Sequence, residues 1–254
     1  MADYRGAADH RVHVQLCGQV ALEVDGERRE TGLPGRQGRM LLAYTVLRRH
    51  DPLTRDELCF ALWGDDPPRA VDSSLGALLS RLRKVLAPVP VDRTRIVLPP
   101  GAWVDLEGAR EAIHRAESAL VRADLAVAWS AAQTSLFVAR RGFLAGEDRP
   151  WIDEVRAELQ TMRERALEAY AAAAVRLGGT ELATAERASR ELVGLAPYRE
   201  SAYRLLMNAL VAQGNGAEAM RVYDALLRRL RDDLGVRPST ASQALHAELL
   251  ARFG

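Results

Sequence analysis

The period of the hydrophobic pattern changes once along this chain, near Leu106, and that change restricts the fold more than any other feature. Before it, Val12 to Val24 alternates apolar and polar residues around Gly18, the period-2 pattern of half-buried strands, and helical runs follow. Beyond it no strand pattern survives. Alanine-rich amphipathic helices are expected near 108–122, 124–140, 151–177, 181–195, 199–213, 216–233 and 239–252, with Gly or Pro between them. The 254 residues exceed the usual one-core size of roughly 100–200 residues. The pattern therefore predicts a mainly α chain: a flexible N-terminus over 1–11, a small α+β domain over 12–106, and an all-α domain over 107–254.

Within the first domain, Met40, Leu41, Ala43, Tyr44 and Leu47 place a helix over Arg36–Arg49. Thr54 then offers an N-cap with Glu57 three residues later, the spacing of a capping box, and the short helix it opens ends at Gly64. Pro67-Pro68 breaks the chain, since proline lacks a donor and restricts the residue before it. A third helix runs from near Ala70 to Ala87. Arg95–Leu98 and Ala102–Leu106 read as the two strands of a hairpin turning at Pro99-Pro100-Gly101.

The third helix is the most informative segment. Val71, Leu75, Leu78, Leu79, Leu82 and Leu86 fall on one face of its wheel, while Ser73, Ala77, Ser80 and Lys84 fall on the other, flanked by Arg81 and Arg83. Small and hydroxyl residues permit close approach to base edges, and cations hold phosphates. A solvated amphipathic helix would look the same in isolation. Two helices on a small sheet before it and a hairpin after it make the layout of a winged helix-turn-helix, whose second motif helix enters the major groove.

Charge adds one local hint. Fifteen basic residues stand against fourteen acidic up to Leu106 and twenty against twenty beyond it, so bulk charge selects no partner. Across Arg81–Arg95, however, Arg81, Arg83, Lys84, Arg93 and Arg95 face only Asp92.

In the second half Ala185 and Ala219 lie 34 residues apart, Pro197 fits a repeat end, and Tyr203, Leu206, Ala219 and Tyr223 occupy tetratricopeptide-like positions. Ala169, Ala172 and Ser189 mark a degenerate earlier copy. Stacked helical hairpins are the expectation, with an ordinary bundle as the alternative.

Enzymatic signals are absent from the pattern. Gly35-Arg36-Gln37-Gly38 is followed by no Gly-Lys-Ser/Thr, the histidines share no metal-ligand spacing with Cys17 and Cys59, and Ser73-Ser74 lacks a nucleophile elbow. No catalytic residue, metal or cofactor is expected. Trp63, Trp103, Trp129 and Trp151 read as core fillers, and the two cysteines as small buried apolar residues of a reducing compartment. No apolar run approaches a membrane span, so a cytoplasmic location is expected.

These residues together resemble the bacterial antibiotic-regulatory (SARP) activators, which join a winged helix-turn-helix to a bacterial transcriptional activation domain. The likeness rests on Thr54-Arg55-Asp56-Glu57-Leu58 with Ala61-Leu62-Trp63-Gly64, Pro67-Pro68 and Leu79-Ser80-Arg81-Leu82-Arg83-Lys84. In the second half it rests on Ala196-Pro197-Tyr198-Arg199-Glu200, Ala217-Glu218-Ala219 with Tyr223, and Leu234-Gly235-Val236-Arg237-Pro238-Ser239 with Leu245-His246. The resemblance implies binding of direct repeats in double-stranded promoter DNA, a homodimer side by side on that DNA, and recruitment of RNA polymerase holoenzyme. The family's wing commonly ends in a Gly-Tyr pair, where this chain reads Pro99-Pro100-Gly101-Ala102-Trp103. Phosphate contact is accordingly expected from Arg93 or Arg95. A helical-repeat interaction scaffold, its winged domain binding protein instead of DNA, is the competing expectation.

Overall fold

The computed structural model describes residues 10–92 and 94–253. Arg93 and residues 1–9 of the expected N-terminal segment lie outside them. The described residues form two compact units: one up to Gly108 together with Arg141–Leu159, the other Ala109–Arg140 together with the residues from Gln160 onward.

The first unit opens with β1 (Val12–Gln15) and β2 (Ala21–Val24), antiparallel with Val14 opposite Leu22. Alternation does what the pattern predicts: Val12, Val14, Leu22 and Val24 are fully buried. A short β3 (Glu27–Arg28) extends the sheet, and a 3₁₀ turn (Glu30–Gly32) leads into α1 (Gly35–Leu47). Helix α2 (Arg55–Trp63) carries the expected capping box: Glu57 N–H donates to Thr54 Oγ1 at 3.2 Å, and Thr54 N–H donates to the Glu57 carboxylate at 2.7 Å. That amide and the Thr54 hydroxyl hold the Glu57 carboxyl below the usual range. Helix α3 (Val71–Leu86) follows.

The expected hairpin is corrected by the structure. The hairpin that forms is β4 (Val91–Asp92) with β5 (Arg95–Ile96), one strand earlier than the pattern suggested. The later strand, β6 (Trp103–Val104), leaves β5 and pairs in parallel with β1, giving the sheet order β3-β2-β1-β6. Pro99-Pro100-Gly101 is thus a connection between sheets and not a wing tip. The same pairing overturns the core reading of Trp103. Val104 faces the core at 1% exposure, so period 2 turns its neighbour outward, and Trp103 is 47% exposed with its edge on His13. Trp63 is buried, and Trp151 lies T-shaped against Tyr44 and Phe143 while its indole donates to the Ala61 carbonyl at 3.0 Å. Of the cysteines, Cys17 is buried and Cys59 only half-buried.

The unit is closed by two polar ties. The fully buried Asp105 carboxylate accepts from the amides of Leu16, Cys17 and Leu106 at 2.8–2.9 Å; burial pushes its pKa up, and the three amides oppose that shift. Gly18 N–H donates to the Gly142 carbonyl at 2.9 Å and Cys17 bridges to Phe143, bringing 141–159 back to the sheet.

The second unit is all helix: α4 (Asp105–Val121, from residue 109), α5 (Leu125–Ala139), α6 (Pro150–Leu177, from residue 160), α7 (Leu182–Leu195), α8 (Glu200–Ala212), α9 (Gly216–Leu234) and α10 (Thr240–Phe253). Consecutive helices α7, α8 and α9 pack as stacked hairpins. Alanine makes that possible. Ala174, Ala185 and Ala209 form one fully buried cluster and Ala119, Ala128 and Ala173 another, so backbones approach where larger side chains would hold them apart. Of the repeat positions, Ala185, Ala219 and Ser189 are fully buried, Ala169, Tyr203, Leu206 and Tyr223 nearly so, and Ala172 is half-buried.

The motif Leu234–Ser239 acquires a physical reading here. Gly235 closes α9 at φ +68°, which favours glycine, and its N–H returns to the Arg231 carbonyl at 3.0 Å. Ser239 then precedes α10, and its N–H and Oγ both donate to the Glu200 carboxylate, which also accepts from Ser242 Oγ at 2.6 Å. Arg199, one residue earlier, pairs with Glu164 and Glu168 on α6.

Candidate nucleic-acid interface

Helix α3 is sixteen residues long, about 24 Å at 1.5 Å per residue. Leu75, Leu79, Leu82 and Leu86 are at most 2% exposed, against the apolar faces of α1 and α2. That anchorage fixes the rotation of the helix. Ser73, Ala77, Ser80, Arg81, Arg83 and Lys84 are consequently all exposed, on a surface uninterrupted by any large apolar side chain. Ser73 Oγ is turned back to the Ala70 carbonyl at 3.0 Å. Arg83 and Lys84 sit in the last turn, where the helix dipole favours cations, so they have a local reason to be there besides any ligand.

The β4–β5 hairpin flanks α3. Arg83 Nε lies 3.5 Å from the Val91 carbonyl, on the first strand of that hairpin. Arg95, on the second strand, is exposed, yet its Nε donates to the Arg49 carbonyl at 2.8 Å, and Thr94 Oγ1 donates to the Leu53 carbonyl. The hairpin is therefore held against the ends of α1 and the α1–α2 connection. Arg93, also expected to touch phosphate, falls outside the described residues.

Arg55 belongs to the Thr54–Leu58 motif, where the sequence assigned it no role of its own. It begins α2, but its Nη2 donates to the Asp72 carbonyl at 3.0 Å and lies 3.5 Å from the Asp72 carboxylate, tying α2 to the start of α3. Its position just after the Thr54 cap was the available signal. Exposed Arg69 precedes the same helix start. Among the described residues, no group of three or more His, Cys, Asp or Glu gathers to hold a metal, and no helix is long and apolar enough to cross a membrane.

Residues 104–250 match the family model described as the bacterial transcriptional activator domain. The regulatory protein AfsR of Streptomyces coelicolor is 35% identical over 240 residues, covering 92% of this chain and 24% of that protein. The transcriptional regulatory protein EmbR of Mycobacterium tuberculosis is 28% identical over 258 residues, 95% of this chain and 64% of EmbR. RedD, a transcriptional regulator of S. coelicolor, is 28% identical over 253 residues, 95% of this chain and 71% of RedD. The chain thus spans about a quarter of AfsR and under two thirds of EmbR. A solved structure of M. tuberculosis EmbR in complex with a low-affinity phosphopeptide shares the fold, with a TM-score of 0.81 at 22% identity over 96% of this chain and 66% of that one.

Proposed function

The chain belongs to the bacterial transcriptional activator domain family, whose matched relatives are transcriptional regulators of the SARP type, and from that premise we propose that it is a sequence-specific DNA-binding activator. The observation that carries the proposal is the exposed face of α3: small and hydroxyl residues followed by cations, on a helix whose opposite face is locked into the core. In this reading residues 12–106 bind DNA and 107–254 form the activation domain. Ser73 and Ala77 approach base edges, Ser80, Arg81, Arg83 and Lys84 make the principal contacts, and Arg93 and Arg95 hold phosphates beside them. The chain binds promoter repeats as a dimer on DNA and recruits RNA polymerase through contacts in place of catalysis, in the cytoplasm.

The test is binding of the full chain to its own upstream DNA and to scrambled DNA over a series of salt concentrations. Preference for the upstream DNA that weakens as salt rises supports the reading. Arg81→Ala and Arg83→Ala should each weaken binding and reduce the slope of log affinity against log salt by about one unit per lost phosphate contact. Wild-type affinity in both variants refutes the residue assignment. Equal, weak binding to both DNAs favours the protein-interaction scaffold instead.

A further inference from the structure

A groove of about 620 Å³ lies on the flank of α3 away from the hairpin, lined by Glu27, Arg28, Arg29, Gly32, Arg81 and Lys84 among others. It is bounded by β3 and the 3₁₀ turn on one side and the C-terminal half of α3 on the other. The approach is close: a Cβ on Gly32 would meet Val85 Cγ2 at 2.8 Å, so only glycine lets the turn sit against the helix here. Arg29 locks the wall in place, donating to the Ala87 carbonyl at the end of α3 and pairing with Glu27 at 2.8 Å. Cations outnumber the single acid of the lining, Glu27, whose exposed carboxylate is paired with Arg29. Arg28 has its side chain 62% exposed, and Arg81 and Lys84 are exposed with no ion-pair partner among the described residues. Glu30 occupies the Nε and one terminal nitrogen of Arg28, leaving N–H donors of the five-donor fork uncommitted.

We infer that this groove is a second phosphate-binding shoulder of the DNA interface, with Arg28 as its outermost contact. The inference rests on the DNA-binding reading of α3 and deepens it. A helix about 10–12 Å across fills a major groove about 12 Å wide, so whatever flanks the helix on either side meets the sugar-phosphate backbones of the two strands. One flank carries Arg83 and the β4–β5 hairpin with Arg95. The opposite flank carries Arg81, Val85 and the β3 turn with Arg28. Duplex DNA seated on α3 therefore brings one backbone to each set of arginines. The N-terminal sheet, which the sequence assigned no contact, adds Arg28 to the register-setting phosphate contacts that Arg81 makes from α3. These contacts position the protein and carry no base preference.

The experiment measures binding of full-length wild type, Arg28→Ala, Arg28→Lys and Arg81→Ala to upstream and scrambled DNA across a salt series. Arg28→Ala should weaken binding to both DNAs equally and reduce the salt slope by about 0.9, equivalent to about eightfold in affinity between 1 M and 0.1 M salt, and Arg28→Lys should restore the slope. Arg28→Ala with the wild-type slope while Arg81→Ala loses its own overturns the shoulder and leaves the α3 reading standing. Arg28→Ala that alters only the cooperativity of a second chain's binding also overturns it, making the groove a chain-to-chain surface. Wild type without preference for upstream DNA fells the function reading and the shoulder together.

Discussion

Replacing Glu200 by Gln tests whether one carboxylate holds α10 to the helical stack. The Glu200 oxygens accept from Ser239 N–H at 2.9 Å, Ser239 Oγ at 2.7 Å and Ser242 Oγ at 2.6 Å, while Arg204 donates to Ser242 Oγ at 3.0 Å. Burial pushes the Glu200 pKa up, but the hydroxyls of Ser242 and Ser239 and the Ser239 amide outweigh it, leaving the pKa below the usual glutamate range. A glutamine keeps the shape but has one acceptor oxygen, and its NH₂ confronts groups that donate. Hydrogen bonds to a charged group contribute about 1.5–3 kcal/mol, and because Glu200 is only half-buried the low end applies, so α10 docking should weaken by about 1.5 kcal/mol. At 1.4 kcal/mol per factor of ten, backbone amides of α10 should exchange hydrogen roughly tenfold faster at pH 7. The pH dependence has a definite sign. A carboxylate with a lowered folded-state pKa contributes stability above its unfolded pKa and loses it as pH falls through the folded value. The gap between wild type and Glu200→Gln should therefore be full at neutral pH and close in acid, where the native carboxyl is itself protonated. Identical α10 exchange rates at pH 7, or a gap that persists unchanged below the carboxylate range, would refute the latch.

Two further substitutions test the packing on which both readings depend. Leu82→Ala, at 1% exposure beneath the cationic face of α3, should destabilise the first unit by about 2–5 kcal/mol and weaken DNA binding with it; an unchanged urea midpoint would contradict the packing described here. Ala209→Leu inserts three carbons where Ala174 and Ala185 meet α8, and should cost about 1–3 kcal/mol or force α7 and α8 apart, seen as a lowered thermal midpoint with α3-dependent DNA binding retained.

How much of this was legible in the sequence depended on how local the cause was. The seven helices after Leu106 were foreseen to within a few residues at each end, because an apolar stripe at 3.6-residue spacing and a Gly or Pro stop are properties of adjacent residues. The Thr54–Glu57 capping box was legible for the same reason, as was the outward face of α3, since the leucines that bury one side dictate which residues remain on the other. Repeat positions such as Ala185 and Ala219 could be named because close helix approach demands small residues wherever it recurs.

The partner of a strand is another matter, because strand patterning states which face is buried and not which edge is joined. Arg95–Ile96 and Trp103–Val104 both looked like strands, and only the tertiary structure assigned the first to β4 and the second to β1, some ninety residues away. The exposure of Trp103 followed from that pairing. Separate long-range contacts decide the return of Arg141–Leu159 to the first unit through Gly142 and Phe143, and the closure at Gly32 that places Arg28 beside α3. The sequence by itself determined the helices, the first two strands and the sidedness of α3, which rest on interactions within a few residues. The tertiary structure decided the sheet order, the membership of the first unit and the cationic groove, because each depends on contacts between distant segments whose geometry no local pattern encodes.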